Sequence, residues 1–355
     1  MKDFQYELEE LFVAVLKENA SDLHISAGRY PTLRIDGQLI SLAQKEILDP
    51  EHTRGLVLAL LNEQQKELFL KNKELDFAYS FKGKARFRVN VFYQRCFFSA
   101  ALRLIPTKIK TIEELNLPPI LQEFTNHSQG FLLITGPTGH GKSTTLAALV
   151  DKINHERTKH IITIEDPIEY LFTQDRSIVD QREVGLDTDD FSRALRSVFR
   201  QDVDVIMVGE MRDIETISTA VTAAETGHLV LATLHTNNAA QTIDRIIDTF
   251  PPSGQGQIRA QLANTLLGVV SQRLIPKLDG GRIPAVEVMI ANHAIRNLIR
   301  EDKIHQIDLV IDTNMEAGMI SLNRALAELV RAQKISMENA ELYSLNLSEL
   351  RNFIS

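Results

Sequence analysis

The sequence predicts an α/β protein in two parts: a small N-terminal α/β domain, then a parallel sheet wound with helices that turns wholly helical toward its end. Three observations carry this. Buried apolar runs at 131–135, 161–165, 203–209 and 228–234 alternate with helical segments, the pattern of a helix-covered parallel sheet. A glycine-rich turn at 136–144, G-P-T-G-H-G-K-S-T, separates the first of these strands from the helix opening that follows Ser143, T-T-L-A-A-L-V. The length of 355 residues exceeds what one hydrophobic core sustains, so two domains are expected.

The elements follow in order. Residues 4–17 carry Phe4, Leu8, Leu11, Phe12 and Val15 at helical spacing. S-D-L-H-I-S and T-L-R-I-D-G-Q-L-I read as strands, the second folded at the Asp36-Gly37 turn. A second helical stretch covers 51–72. Residues 85–93 alternate, with Phe87, Val89 and Val91 on one face and Arg86, Arg88 and Asn90 on the other. The run 100–105 is another strand with Arg103 on its polar side. Prolines at both ends and no sustained apolar face make 106–119 a linker. The expected domains are therefore 1–105 and 120–355, the latter all helix from about 290.

Composition narrows the class. An apolar fraction of 44% with 24% charged residues is that of a globular protein. The single cysteine, Cys96, allows neither an intrachain disulfide nor a cysteine zinc site, which fits a reducing cytoplasm. The opening M-K-D-F-Q-Y-E-L-E-E is too acidic for a signal peptide, and no apolar run reaches the ~20 residues that span a bilayer. A net charge of −8 argues against a dedicated nucleic-acid binder.

The turn at 136–144 fits the phosphate-binding loop G-x-x-x-x-G-K-[S/T] in the strand-to-helix context it requires. Gly136, Pro137, Thr138, Gly139, His140, Gly141, Lys142, Ser143 and Thr144 would gather backbone N–H groups and a helix N-terminus around one anion. Lys142, read as a solvent-facing point charge, would reach the β- and γ-phosphates of ATP, and the Ser143 hydroxyl would sit on Mg2+. Hydrolysis needs carboxylates beside this loop. V-I-M-V ends at Gly209-Glu210 and I-I-T-I ends at Glu165-Asp166-Pro167, placing two acids at the carboxyl ends of strands, where open α/β sheets bind ligands. Glu210 is the candidate for holding metal-bound water or polarising the attacking one.

His228 and His235 flank L-V-L-A-T-L; their spacing is poor for zinc, and a structural role competes with sensing phosphate or water. Transition-state charge calls for an arginine, which is able to supply ~10³–10⁵ in rate. Arg86, Arg88 and Arg103 lie on polar strand faces of the N-terminal domain, and Arg193, Arg196 and Arg200 share a helix face. For each of these, an ordinary surface pair is as good a reading.

Together these residues resemble the secretion-ATPase superfamily, in particular the type IV pilus retraction ATPases (PilT/PilU). The resemblance covers nearly the whole chain: A-S-D-L-H-I-S-A-G at 20–28, R-F-R-V-N at 86–90, the phosphate loop, T-I-E-D-P-I-E at 163–169, V-D-V-I-M-V-G-E-M-R-D, G-H-L-V-L-A-T-L-H-T-N, and A-I-R-N-L at 294–298. It implies a homohexameric ring whose subunits have a PAS-like N-terminal domain and a RecA-like ATPase domain. It implies Glu210 and Glu165 at magnesium and water, His228 and His235 near the γ-phosphate, and Arg88 and Arg103 approaching from the N-terminal domain. It further implies an inner-membrane platform protein as partner, a paralogous ATPase as a second one, no nucleic acid, and a cytoplasmic protein held at the pilus base. Extension and type II secretion ATPases share these motifs but are generally longer and carry a four-cysteine zinc motif, absent here. The chain departs from the pattern at His140, where serine or alanine is usual, at Asp202-Val203-Asp204 in place of Asp-Pro-Asp, and over 306–320, which leaves PilT against PilU open. In A-I-R-N-L, Asn292 is expected to cap a helix on which Ile295, Leu298 and Ile299 pack inward and Arg296 and Asn297 point away.

Overall fold

The computed structural model describes residues 3–35, 37–105 and 108–354. Asp36 of the expected turn and Pro106 and Thr107 of the expected linker lie outside the described residues. The chain divides into two compact units, one of Met1–Lys108 with Pro167–Leu171 and one of Ile109–Asp166 with Phe172–Ser355.

The first unit runs α1 (Phe4–Lys17), β1 (Asp22–Ile25), β2 (Thr32–Ile35), β3 (Gln38–Ser41), α2 (Pro50–Leu60), α3 (Glu63–Asn72), β4 (Glu74–Phe81), β5 (Ala85–Gln94) and β6 (Phe97–Ile105). Its strands form one antiparallel sheet in the order β3-β2-β1-β6-β5-β4. The alternation expected over 85–93 holds: Phe87, Val89 and Val91 are fully buried, and Phe12 of α1 stacks on Phe87 with ring centroids 4.7 Å apart. The expected helix over 51–72 is two helices. Asn62 breaks it by capping α3, its side chain accepting from the Gln65 N–H while Gln65 reaches back to the Asn62 N–H.

The second unit runs α4 (Leu121–Phe124), β7 (Gly130–Thr135), α5 (Lys142–Glu156), β8 (His160–Glu165), β9 (Ile178–Glu183), α6 (Phe191–Val198), β10 (Val205–Val208), α7 (Ile214–Glu225), β11 (Leu229–Leu234), α8 (Ala239–Asp248), α9 (Pro252–Thr265), β12 (Leu266–Pro276) and β13 (Arg282–Ile290). It closes with α10 (His293–Arg300), α11 (Ile307–Thr313), α12 (Leu322–Arg331), α13 (Met337–Tyr343) and α14 (Leu347–Ile354). The sheet order is β13-β12-β7-β11-β10-β8-β9, parallel except for the β12–β13 pair. Both faces are covered. Phe131, Leu133, Ile206, Val208, Val230 and Ala232 pack on one side with α7 and α9, and Leu132, Ile134, Met207 and Leu231 pack on the other with Leu146, Leu149 and Ile153 of α5. Burial on both faces explains why these strands read as continuous apolar runs.

The four expected strands are β7, β8, β10 and β11. Strands β9, β12 and β13 were not foreseen, because polar residues interrupt them: β12 carries Ser271, Gln272 and Arg273, and β13 carries Glu287. Ile112 and Leu117, inside the segment expected as linker, are buried in the core of this second unit.

Candidate active site at the phosphate loop

The loop leaves the carboxyl end of β7 and enters α5 at Lys142. Gly136 has φ +140°, and a Cβ there would lie 2.3 Å from the Gln272 carbonyl oxygen, so the close approach of loop to β12 demands glycine. Gly141, at φ +85°, caps α5 without any side-chain hydrogen bond. With glycine at the N-cap, no capping side chain competes for the first-turn N–H groups of this 15-residue helix, which suits anion binding at a helix N-terminus.

Lys142 is not the solvent-facing charge expected from sequence. It is only 7% exposed, with Nζ donating to the Gly136 carbonyl at 2.8 Å and the Pro137 carbonyl at 3.0 Å. Its methylenes bury along the loop while loop carbonyls satisfy the ammonium. Nζ also lies 3.4 Å from His235 Nδ1, and Thr138 Oγ1 lies 3.3 Å from the same nitrogen. An ammonium has no acceptor lone pair, so Nδ1 accepts and Nε2 carries the ring proton. That Nε2 meets Glu210 Oε1 at 3.2 Å. Lys142, His235 and Glu210 therefore form one continuous polar chain. Arg212 Nη2 holds the other Glu210 oxygen at 2.7 Å, and this bond, with His235 beside it, keeps the Glu210 carboxyl below its ordinary pKa despite partial burial. At neutral pH Glu210 is an anion at the mouth of the loop.

Glu165 ends β8, the parallel neighbour of β10, and is 5% exposed. Thr163 Oγ1 donates to its Oε1 at 2.6 Å, and Gln181 Nε2 donates to the same atom at 3.2 Å. Gly209 sits where a Cβ would be 3.2 Å from the Ile164 carbonyl oxygen, which lets the two strand ends run close and brings both carboxylates to one rim.

His228 is elsewhere. It precedes the first residue of β11, and the six residues of that strand separate it from His235 by roughly 20 Å. Its Nδ1 contacts the Ala223 carbonyl at 2.9 Å and its ring meets Phe199 edge-on. Within this chain His228 belongs to the amino edge of the sheet, opposite the phosphate loop; a six-residue strand separates the two histidines, and the parallel pairing with β7 decides which of them meets the loop. Arg88 and Arg103 lie in the first unit, Arg103 Nε on Asp22 at 2.9 Å and Arg88 3.9 Å from Glu169. Arg193 and Arg196 are paired with Asp189 and Glu215 on the surface.

Sequence reading missed the supports of the loop. Gln272 of β12, 3% exposed, donates Nε2 to the His140 carbonyl at 2.9 Å and accepts from Thr145 Oγ1 at 2.7 Å. His140 Nδ1 accepts the Leu274 N–H at 2.9 Å, and burial, aided by Arg273, Arg282 and Lys142, lowers its pKa and favours this neutral, accepting form. The unusual histidine in the loop is a clamp onto β12. No motif marks Gln272; only strand pairing puts it under the loop. Arg212, two residues after Glu210, carried a signal in its position but no assigned role.

Comparison with known proteins agrees with this geometry. The family described as "Type II/IV secretion system protein" matches residues 4–303. The chain is 47% identical over 334 residues to the type IV pilus retraction ATPase PilT of Pseudomonas aeruginosa, covering 94% of this chain and 97% of that one. This chain belongs to the type IV pilus retraction ATPase family. It is also 43% identical over 349 residues to the type IV pilus ATPase PilU of the same organism, covering 98% of this chain and 91% of that one. The crystal structure of the pilus retraction motor PilT with bound ADP superposes with a TM-score of 0.92 at 46% identity, over 97% of this chain and 98% of that one. As a member of this ATPase family the chain is an ATP hydrolase with a nucleotide site. Among the described residues, no helix is long and apolar enough to cross a membrane.

Proposed function

We propose that this protein is a hexameric motor that couples ATP hydrolysis to type IV pilus disassembly and retraction, acting against an inner-membrane platform protein at the pilus base. The observation that carries the reading is the chain from Lys142 through His235 to Glu210, which joins a phosphate loop to a strand-end carboxylate in a protein 47% identical to a retraction ATPase.

ATP would lie on the loop 136–144, its phosphates on the first-turn amides of α5 and on Lys142, whose ammonium exchanges loop carbonyls for phosphate oxygens. The donor set suits Mg2+. The Ser143 hydroxyl is in the first turn of α5, Glu210 is ionised, and Mg2+ with a nucleotide keeps phosphate and water ligands. Among the described residues no three His, Cys, Asp or Glu side chains form a metal cage, and such a site needs none. Bound there, Mg2+ would neutralise charge on the transferring phosphoryl group. Glu210 orients the attacking water, Glu165 supports it from the next strand, and His235 reports occupancy of the loop because it touches both Lys142 and Glu210. Arg88 and Arg103 of the first unit are the candidates for transition-state charge; each would first leave its acidic partner.

Deleting the gene tests the reading. A retraction motor leaves cells with more surface pili and no twitching, whereas loss of pili would assign extension instead. The similarity to PilU, which spans 98% of this chain, supports a second reading as an accessory ATPase that pulls only with a partner. Retraction in cells lacking the paralogue separates the two.

A further inference from the structure

Three consecutive residues of β12 meet three parts of the site. Gln272 supports the phosphate loop, Arg273 donates Nη2 to Asn237 Oδ1 at 3.0 Å, and Ser271 sits between Thr135 and Glu287. Strand register makes the last contact: Ser271 pairs with Thr135 of β7 on one side and Glu287 of β13 on the other, so three polar side chains line up across three strands. Thr135 Oγ1 donates to Ser271 Oγ at 2.9 Å, and the Ser271 hydroxyl bonds the Glu287 carboxylate. Glu287 Oε1 then accepts the Ala239 N–H, the first of α8, at 2.7 Å. Thr135 directly precedes Gly136, and Ala239 lies four residues after His235. A polar path thus runs from the phosphate loop to the histidine segment through a carboxyl that is 5% exposed, in a strand whose neighbouring residues are the buried Val286 and Val288. An apolar sheet has no need of a carboxyl there.

We infer that Glu287 is a positioning residue for ATP hydrolysis: its ionised carboxylate anchors the start of α8, holding His235 against Lys142 and Glu210, and ties that anchor through Ser271 to the strand that bears the phosphate loop. The inference rests on the reading of those three residues as the hydrolytic site. The carboxyl is set to titrate in the working range. Burial pushes it up to about 7, Asp308 and Asp312 of α11 push in the same direction, and the Ala239 N–H and Ser271 hydroxyl oppose them. Among cations, Arg273 of β12 feels the Glu287 charge, which opposes the lowering of its own pKa by burial. Ionised, Glu287 accepts from Ala239 and Ser271 together; protonated, it loses acceptor capacity and gains a hydroxyl proton to place.

Glu287→Gln tests this, since the amide keeps the shape and imitates the protonated form. Full-length wild type, E287Q and K142A are compared for kcat from pH 6 to 9, for binding of a fluorescent ADP analogue, and for assembly. Wild-type kcat is expected to rise through a limb near pH 7. E287Q should bind ADP within two-fold of wild type, lack that limb, and stay at the low-pH rate, at least five-fold below wild type at pH 8. A purely structural role would lower the whole profile and leave the limb in place, which overturns the inference, as does a profile superimposable on wild type. Hydrolysis persisting in K142A overturns the site reading and this inference with it, whereas an inactive K142A with an unaltered E287Q limb overturns this inference alone.

Discussion

At the residue scale, charge state decides what each acid does. Arg212 and His235 hold the Glu210 carboxyl below its ordinary pKa, so it is already an anion well below neutrality and contributes no titration between pH 6 and 8. Glu210→Gln is expected to retain nucleotide and lose turnover by at least ~100-fold, measured as ADP affinity against kcat. Glu165→Gln should act in the same direction, to a similar or lesser degree. Glu287 has the opposite shift and the opposite linkage. Its folded pKa of about 7 exceeds the ordinary 4.5, so the folded state keeps a proton that the unfolded chain has lost. Stability from this group is full below pH 4.5, falls as pH rises to about 7, and is flat above. E287Q lacks the fall. Its melting temperature relative to wild type should therefore climb between pH 5 and pH 8, by an amount worth no more than ~3 kcal/mol. An ionised group that lowers stability is retained where it positions chemistry. Lys142→Ala, in turn, should abolish hydrolysis with assembly unchanged, read by a phosphate-release assay and light scattering.

At the element scale, the A-I-R-N-L helix departs from its sequence reading in one informative way. Asn292 caps α10 as expected, its side chain accepting the Ile295 N–H at 3.0 Å, and Ile295 and Ile299 are fully buried with Leu298 packed beside them. Arg296 does not point away. Its Nε and Nη atoms donate to the Ala291, Ala263, Asn264 and Leu266 carbonyls at 2.7–3.0 Å, closing the C-terminus of α9 and the start of β12. Helical periodicity assigns Arg296 to the polar face, but a guanidinium has the length and the donors to fold back onto a helix end whose carbonyls lack partners. Arg296→Ala is thus expected to destabilise the second unit by about 2 kcal/mol, seen as a melting shift of several degrees, and Arg296 is unsuited to separating hydrolysis from work. Asn297 is the cleaner probe: it is exposed, and the one side-chain bond described for it is to Arg300. Asn297→Ala should leave melting and ATPase rate near wild type while twitching is lost; normal twitching would reduce the motif to packing. Leu298 replaced by a charged residue should destabilise, because it sets a charge against this core.

At the scale of the whole molecule, the acids and the phosphate loop belong to one compact unit and Arg88 and Arg103 to the other. A motor whose arginines are delivered by assembly should lose specific activity on dilution below the assembly threshold. Arg88→Ala and Arg103→Ala should slow hydrolysis more than ten-fold with ATP affinity nearly unchanged. A fully active monomer in light scattering coupled to an activity assay would contradict this.

The sequence by itself determined the class, the phosphate loop, the strand-end carboxylates and the family, because these depend on short-range patterns: apolar runs, glycines where backbone must approach ligand, and acids directly after strands. The break at Asn62 is also local, since the Asn62–Gln65 capping box lies within four consecutive residues. Tertiary structure alone decided the rest. Gln272, Ser271 and Glu287 become part of the site through pairing of strands more than a hundred residues beyond the loop, and polar residues in those strands hide them from a search for apolar runs. The two histidines of one motif go to opposite ends of β11, since an extended strand carries its ends apart, and only the sheet's direction says which end holds the loop.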